Sequence, residues 1–153
     1  MNEEITKLEL IKHPNDILNK VSDDFNIGEY AEFIFKDMVR IMESNGGVGL
    51  AAPQIGINKR FFIMKLIGKI ELVINPRILN HGKEALYKEE GCLSVPDIKK
   101  ELKRWNVIDV KYITMVDGSL NYIETTFKKQ QARIFQHEYD HLDGILCMFK
   151  KEE

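Results

Sequence analysis

The sequence predicts an α+β protein in which mixed or antiparallel sheets pack around a central helix. Two helical patterns lie far apart, at residues 30–44 and from about residue 128 to residue 142. The segments between them contain short apolar runs that are typical of strands. Because these strands follow one another without crossover helices, antiparallel or mixed pairing is favoured over a parallel sheet.

Length and composition predict a single domain over residues 1–153. Hydrophobic residues make up 44% of the chain and charged residues 30%, as in a soluble protein that can bury a core. No internal repeat, low-complexity segment or linker divides the sequence. The formal net charge of -2 indicates no specific attraction to nucleic acid, and no apolar run reaches the length of a membrane span.

The N-terminus and the cysteines indicate a reducing compartment. The first residues, MNEE, lack the basic and apolar stretches of a signal peptide. Without a secretion signal, Cys92 and Cys147 are expected to be reduced thiols rather than a disulfide. We therefore expect a cytoplasmic protein.

The first helix is predicted over residues 30–44, where apolar residues recur at steps of three and four. These residues are Ala31, Ile34, Phe35, Met38, Ile41 and Met42. The segment Asn45-Gly46-Gly47 should end the helix, because glycine readily adopts the left-handed conformation at a helix C-terminus. The small residues GVGLAAPQ at 47–54 predict a tightly packed loop or a short strand.

Strands are predicted at residues 61–66, 72–75, 107–116 and 120–127. In the third strand, apolar residues at 108, 110 and 112 alternate with Asp109 and Lys111, which is the period-two pattern of a half-buried strand. Asp117-Gly118 is a hairpin-turn signal between the last two strands. The basic run of Lys99, Lys100, Lys103 and Arg104 is expected to form a solvated face.

The second helix carries the residues that point to chemistry, HEYDH at residues 137–141. His137 and His141 are four apart, so they lie on one face of a helix and can hold a divalent metal ion. Glu138 can then act as a base towards a water molecule on that ion. The alternative is that two structural histidines match the pattern by chance.

A catalytic metal ion usually has three protein ligands and one open position, so a third ligand is needed. The acidic residues downstream of His141 lie either too near in sequence or at the chain end. The best upstream candidate is Cys92, in EGCLS at residues 90–94, because a thiolate is a strong anionic ligand. The alternative is that Cys92 is only a small buried hydrophobic residue. We expect this structural role for Cys147.

Three segments together resemble the peptide deformylase family. Members of that family carry Gly-x-Gly-x-Ala-Ala-x-Gln, Glu-Gly-Cys-Leu-Ser and His-Glu-x-x-His segments, which match residues 47–54, 90–94 and 137–141 in the same order. The resemblance implies a metal-dependent hydrolase that removes the N-formyl group from the formyl-methionine of nascent polypeptides and releases formate.

The resemblance also implies a metal site. Cys92, His137 and His141 would bind one divalent ion, and Glu138 would be the general acid/base. Family members imply iron(II) as the working ion in the cell, and two imidazoles with a thiolate also suit zinc, nickel or cobalt. Arg104 would pair with Glu90 and hold the Cys92 loop.

Further roles follow from the same resemblance. The Gln54 side chain and the backbone N–H of Leu93 would stabilise the developing oxyanion. The residues along the substrate backbone would be Gly47, Val48 and Gly49, with a missing side chain letting the peptide sit close. Ile134, with Leu93, would form the pocket for the methionine side chain.

Two features depart from the family pattern. KKQQ at residues 128–131 is polar where relatives have glycine and apolar residues, so a wider or more charged pocket mouth is expected. The sequence ends at Glu153, soon after the metal motif, whereas many relatives continue into a longer C-terminal helix. We therefore expect a monomer that meets formylmethionyl peptides and nascent chains by diffusion, with weak ribosome contact at most.

Two other functions remain open at this point. One is a small metalloprotease, or another amidohydrolase, that uses the same helix; the lack of a downstream ligand counts against it. The other is a catalytically inactive, ribosome-associated metal-binding module. Glu138 counts against this second function, because a purely structural metal site needs no base.

Overall fold

The computed structural model describes residues 8–26 and 32–150, and in this part of the chain it contains two α-helices and seven strands. The helices are α1 (Glu32–Ser44) and α2 (Lys129–Leu142). The strands are β1 (Gly49–Ala51), β2 (Phe61–Leu66), β3 (Lys69–His81), β4 (Glu84–Cys92), β5 (Val95–Trp105), β6 (Val107–Val116) and β7 (Ser119–Lys128). Short 3-10 helices cover Asp16–Asn19, Ala52–Ile55 and Cys147–Phe149.

Five of the strands form one sheet in the order β1-β2-β3-β6-β7, and β4 and β5 form a separate two-stranded sheet. All pairings between these strands are antiparallel. The predicted α+β class is confirmed, and of the two sheet types considered the antiparallel one is present among the described residues.

The predicted elements differ from the observed ones mainly around β4 and β5. β2 and β6 have the predicted bounds, and Asp117 and Gly118 form the predicted turn with φ of 49° and 78°. β3 is much longer than predicted, and neither β4 nor β5 was predicted. Residues 30 and 31 of the first predicted helix lie outside the described residues.

Both faces of β2 are buried over residues 61–64, which explains why these four residues are all apolar. Phe62 and Met64 pack in the core that contains α2, whereas Phe61 and Ile63 pack in the core that contains α1. The Phe62 ring meets Phe135 of α2 edge-on, with 5.1 Å between ring centroids. Burying one side chain of this size contributes roughly 1.5–3 kcal/mol, so these contacts fix α2 against the sheet.

The β4–β5 hairpin covers another side of α2. The backbone N–H of Trp105 donates to Oε1 of Gln136 at 2.9 Å, and Arg104 donates to Oδ2 of Asp140 at 2.6 Å. α2 therefore lies between the sheet and the hairpin and contacts residues of both. Neither α1 nor α2, the long helices of the described residues, has the length and apolarity needed to cross a bilayer.

A glycine in the left-handed conformation follows each helix, and the sequence predicted the one after α1. Gly46 has φ of 67°, and the N–H of Gly47 returns to the carbonyl of Met42 at 2.9 Å. After α2, Gly144 has φ of 72°, and a Cβ there would lie 2.6 Å from the backbone carbonyl of Asn19. No other residue type fits this position without moving one of the two segments.

Candidate functional site

Two histidines of α2 form one side of the candidate site. His137 and His141 are four residues apart, and their ring centroids are 5.0 Å apart. Both side chains are buried, with 7% and 1% of their surface exposed. The helical spacing thus places both imidazoles on one face of α2, as the sequence predicted, and this face is the buried one.

Cys92, the last residue of β4, brings a thiol to the two imidazoles. Its Sγ is 3.4 Å from Nε2 of His141, and one potential ligand atom from each of the three residues lies within 4.8 Å of the others. The β4–β5 hairpin places Cys92 here because Arg104 and Trp105 of β5 are bonded to α2. The structure therefore brings together three residues that are up to 49 positions apart in sequence.

This donor set fits a catalytic divalent metal ion. Two imidazoles and a thiolate are ligands that suit zinc and iron(II), and three protein ligands leave a position for water or substrate. Oε1 of Glu138 and Nδ1 of His141 are buried and have no hydrogen-bond partner among the described residues. Unpaired buried polar atoms are rare in proteins, and two of the five among the described residues belong to this site.

Glu90 and Arg104 orient His137 of the cluster through buried hydrogen bonds. Nδ1 of His137 lies 2.7 Å from Oε1 of Glu90, which leaves the Nε2 atom of the ring available to a metal ion. Arg104 donates two hydrogen bonds to Glu90 and one to Asp140, and both members of the Glu90–Arg104 pair are buried. Although burial alone would raise the pKa of Glu90, hydrogen bonds from His137 and Arg104 lower this pKa to about 2.

The ion pair that the sequence suggested between Glu90 and Arg104 is therefore present. The prediction that residues 99, 100, 103 and 104 form a solvated face is wrong for Arg104. Lys99 and Lys103 are exposed, but only 2% of the Arg104 surface is exposed. Side chains alternate along β5, so Arg104 points inwards where its two carboxylate partners lie.

Glu138 lies beside the cluster and against Gly49 of β1. Its side chain is buried, and this burial raises its pKa to about 7 although the nearby charge of His137 acts in the opposite direction. A Cβ on Gly49 would lie 2.5 Å from Oε2 of Glu138. We expected Gly49 to make room for a substrate backbone, and the structure shows that its missing side chain makes room for Glu138.

Hydrogen bonds fix both the oxygen and the nitrogen of the Gln54 side-chain amide. Its Oε1 accepts from the backbone N–H of Ala51 at 2.9 Å, and its Nε2 donates to Oγ of Ser94 at 3.0 Å. The same Nε2 is 3.8 Å from Sγ of Cys92, so the amide is directed at the cluster. Oγ of Ser94 in turn donates to the backbone carbonyl of Ile11 at 2.6 Å. The sequence did not indicate this hydrogen bond.

A cleft of about 820 Å³ opens over this cluster. The predicted substrate-binding residues Gly47, Val48, Gly49 and Ile134 line it, together with Leu93, Gln54, Cys92, His137 and Glu138. The polar segment 128–131 was expected at the pocket mouth, but none of these four residues lines the cleft. They form the junction of β7 and α2, where the N–H of Lys129 donates to the carbonyl of Asn106 at 2.8 Å.

Cys147 is closer to the cluster than expected. It is 2% exposed, as predicted for a small buried residue. However, one ligand atom each from Glu90, His137 and Cys147 also lie within 4.8 Å of one another. No pattern in the sequence could have indicated this, because Cys147 reaches the site through the tight turn at Gly144.

Comparisons with known proteins agree on one family. A sequence model described as polypeptide deformylase matches residues 7–152. A peptide deformylase of Pseudothermotoga lettingae is 37% identical over 143 residues, which cover 93% of this chain and 80% of that protein. The crystal structure of peptide deformylase from Thermotoga maritima superposes with a TM-score of 0.84 at 36% identity, over 95% of this chain and 98% of that chain. The crystal structure of a class I type b peptide deformylase from Acinetobacter baumannii with Met-Ala-Ser bound superposes with a TM-score of 0.81 at 35% identity. The match covers 92% of this chain and 96% of that chain.

Proposed function

Because the chain belongs to the peptide deformylase family, whose members use a metal ion to remove the N-formyl group from nascent peptides, we propose which of its residues carry out this reaction. Cys92, His137 and His141 hold one divalent metal ion, and Glu138 transfers the proton. The observation that carries the proposal is that three potential ligand atoms lie within 4.8 Å of one another beside a buried carboxylate with an unpaired oxygen.

The reaction is the hydrolysis of the formyl amide bond. When bound, the metal ion supplies a Lewis acid that polarises the formyl carbonyl and makes a water molecule more acidic. Glu138 accepts a proton from the water that attacks the formyl carbon, and it delivers this proton to the amine nitrogen as the C–N bond breaks. Formate and a free N-terminal amine are the products.

Gln54 and Leu93 stabilise the oxyanion that develops on the formyl oxygen. The amide group of Gln54 has two N–H bonds, and Ser94 accepts only one of them. The other is directed at Sγ of Cys92, 3.8 Å from Nε2, and so lies beside the cluster where the formyl oxygen would bind. A donor that is already held in place lowers the barrier without reorganising during the reaction, and the backbone N–H of Leu93 adds a second fixed donor.

The substrate is N-formylmethionyl peptide. Gly47, Val48 and Gly49 follow its backbone along the cleft wall, and Ile134 with Leu93 receives the unbranched methionine side chain. The Acinetobacter baumannii relative with Met-Ala-Ser bound supports methionine as the first residue, since its chain and this one superpose over most of their length.

Further properties complete the proposal. Iron(II) is the working ion, although the same donors suit zinc, nickel or cobalt. The chain acts as a cytoplasmic monomer and as one catalytic domain over residues 1–153. Contact with the ribosome is weak, because a formal net charge of -2 gives no general attraction to phosphate.

Formate release from matched peptides tests this function. Protein purified without oxygen should convert formyl-Met-Ala-Ser to formate and Met-Ala-Ser in equal amounts, and it should leave acetyl-Met-Ala-Ser intact. Cleavage of an internal peptide bond would instead indicate a metalloprotease. Metal-loaded protein that hydrolyses neither peptide would indicate an inactive metal-binding module.

A further inference from the structure

Arg133 stands apart from the other arginines of the chain. Arg40, Arg60, Arg77 and Arg104 each pair with an aspartate or glutamate. No carboxylate of the described residues lies within ion-pair distance of Arg133, although its charge acts on buried Glu138, and its guanidinium donates to the neutral side chain of Gln130 at 3.1 Å. A guanidinium presents five N–H donors that match a carboxylate, so Arg133 retains free binding capacity.

Arg133 lies where its free N–H donors can reach a bound substrate. It lines the cleft from α2, four residues before His137 and therefore about one helical turn, or ~5.4 Å, further along the same face. The other α2 residues that line the cleft are Ile134, His137 and Glu138. Arg133 is therefore the α2 residue of this lining whose side chain is positively charged at every physiological pH.

The other segments that line the cleft carry charges of both signs. The β4–β5 hairpin contributes Glu89, Asp97 and Lys99 to the cleft, and Lys12 contributes from the N-terminal segment. A carboxylate of the substrate would be attracted by Arg133 at the α2 wall, whereas the two acidic and two basic residues of the other segments cancel in formal charge. Charge recognition in this cleft therefore depends on which wall a side chain faces.

We propose that Arg133 is a specificity-determining residue that favours formylated peptides with an acidic side chain at the second or third position. This inference rests on the proposed function, which places the formyl group beside Glu138. An extended peptide advances ~3.3 Å per residue, so the residues that follow methionine reach the distance of one helical turn from His137. Successive side chains of an extended peptide face opposite walls, so only one of the two positions should show the preference.

The preference should be expressed in KM rather than in kcat. Arg133 contacts a part of the substrate that does not react, so it stabilises the bound substrate and the transition state equally. A partly exposed ion pair of this kind corresponds to about a fivefold change in affinity at most. The preference should weaken as salt rises, since the Debye length is about 10 Å at 0.1 M ionic strength.

The experiment compares substrate charge within each enzyme variant. Formyl-Met-Asp-Ser is compared with formyl-Met-Lys-Ser, and formyl-Met-Ala-Asp with formyl-Met-Ala-Lys; formyl-Met-Ala-Ser is the neutral reference. Wild type and Arg133→Lys should favour the acidic peptide about fivefold in kcat/KM at one of the two positions. Arg133→Gln should show no preference, and Arg133→Glu should favour the lysine peptide.

The controls separate this inference from the proposed function and from general damage. Arg77→Gln removes a guanidinium that is outside the cleft and should keep the wild-type preference. Ratios within one variant cancel any effect of Arg133 on the chemical step. Wild type without a preference at either position, or Arg133→Gln with the full preference, overturns the inference. No formate from the neutral peptide in wild type would instead overturn the proposed function.

Discussion

The contact between Gly49 and Glu138 predicts that a single methyl group disables the enzyme. In Gly49→Ala, the new Cβ would lie 2.5 Å from Oε2, 2.9 Å from Cδ and 3.0 Å from Cγ of Glu138. Ordinary contact begins at 3.4 Å, so the carboxylate would have to move by about 0.9 Å. Glu138 is buried, and the surrounding core limits the directions in which it can turn.

The expected loss follows from this displacement. Misplacing a catalytic group by about 1 Å can cost ~10²-fold in rate, so kcat/KM for formyl-Met-Ala-Ser should fall by about that factor. Forcing a methyl group into a packed site also costs about 1–3 kcal/mol of unfolding free energy. Bound metal should stay near the wild-type amount, because Gly49 contacts the base and not the proposed ligands.

The assay measures kcat/KM, metal content and thermal unfolding of Gly49→Ala beside a second glycine variant. Gly82→Ala is the matched control, since the nearest atom to its Cβ would be Oδ1 of Asn106 at 3.3 Å, and Gly82 does not line the cleft. It should keep wild-type activity. A Gly49→Ala enzyme with full metal and wild-type kcat/KM would refute the proposed position of Glu138.

Other predictions concern the surroundings of the metal centre and the partners. Cys147→Ala should keep both metal and activity, because Cys92 already completes the ligand set; metal loss on dialysis would show that Cys147 is needed. Arg104→Ala removes the cation that pairs with buried Glu90 and leaves this carboxylate only the His137 ring, so thermal unfolding should reveal a loss of about 3–5 kcal/mol. Its metal affinity or activity should fall about 10–100-fold, and wild-type values in both measurements would contradict a positioning role. Removing the metal with a chelator should abolish formate release, and returning iron(II) should restore it best; higher activity with zinc would contradict iron(II). Cosedimentation at physiological salt should show only weak, salt-sensitive ribosome binding, and tight binding would contradict this expectation.

The sequence was sufficient where a local pattern matched the final environment. β6 alternates polar and apolar residues, and the first four residues of β2 are apolar and buried on both faces, so both strands were predictable. β4 and β5 were missed because their residues are largely charged and exposed, without a clear alternation. Arg104 is buried in β5 only because Glu90 and Asp140 neutralise it, and those partners come from other elements.

The candidate site was predictable in its members but not in all its contacts. The spacing of His137 and His141 placed them on one helical face, and resemblance suggested Cys92. The contact of Gly49 with Glu138 was not predicted, because the approach of Glu138 depends on how β1 packs against α2. That Cys147 lies near His137 depends on the turn at Gly144, which no spacing rule describes.

The central claim is that Cys92 is a ligand of the metal ion and that Glu138 is a base that does not bind it. Metal content and formate release, measured together on Cys92→Ala and Glu138→Gln purified without oxygen, test this claim most directly. Glu138→Gln should retain about one metal ion per chain while its activity falls by roughly 10²–10⁴-fold, the usual loss when an acid/base is removed. Cys92→Ala should lose both the metal ion and the activity. A Cys92→Ala protein that keeps its metal, or a Glu138→Gln protein that loses it, would contradict this division of roles.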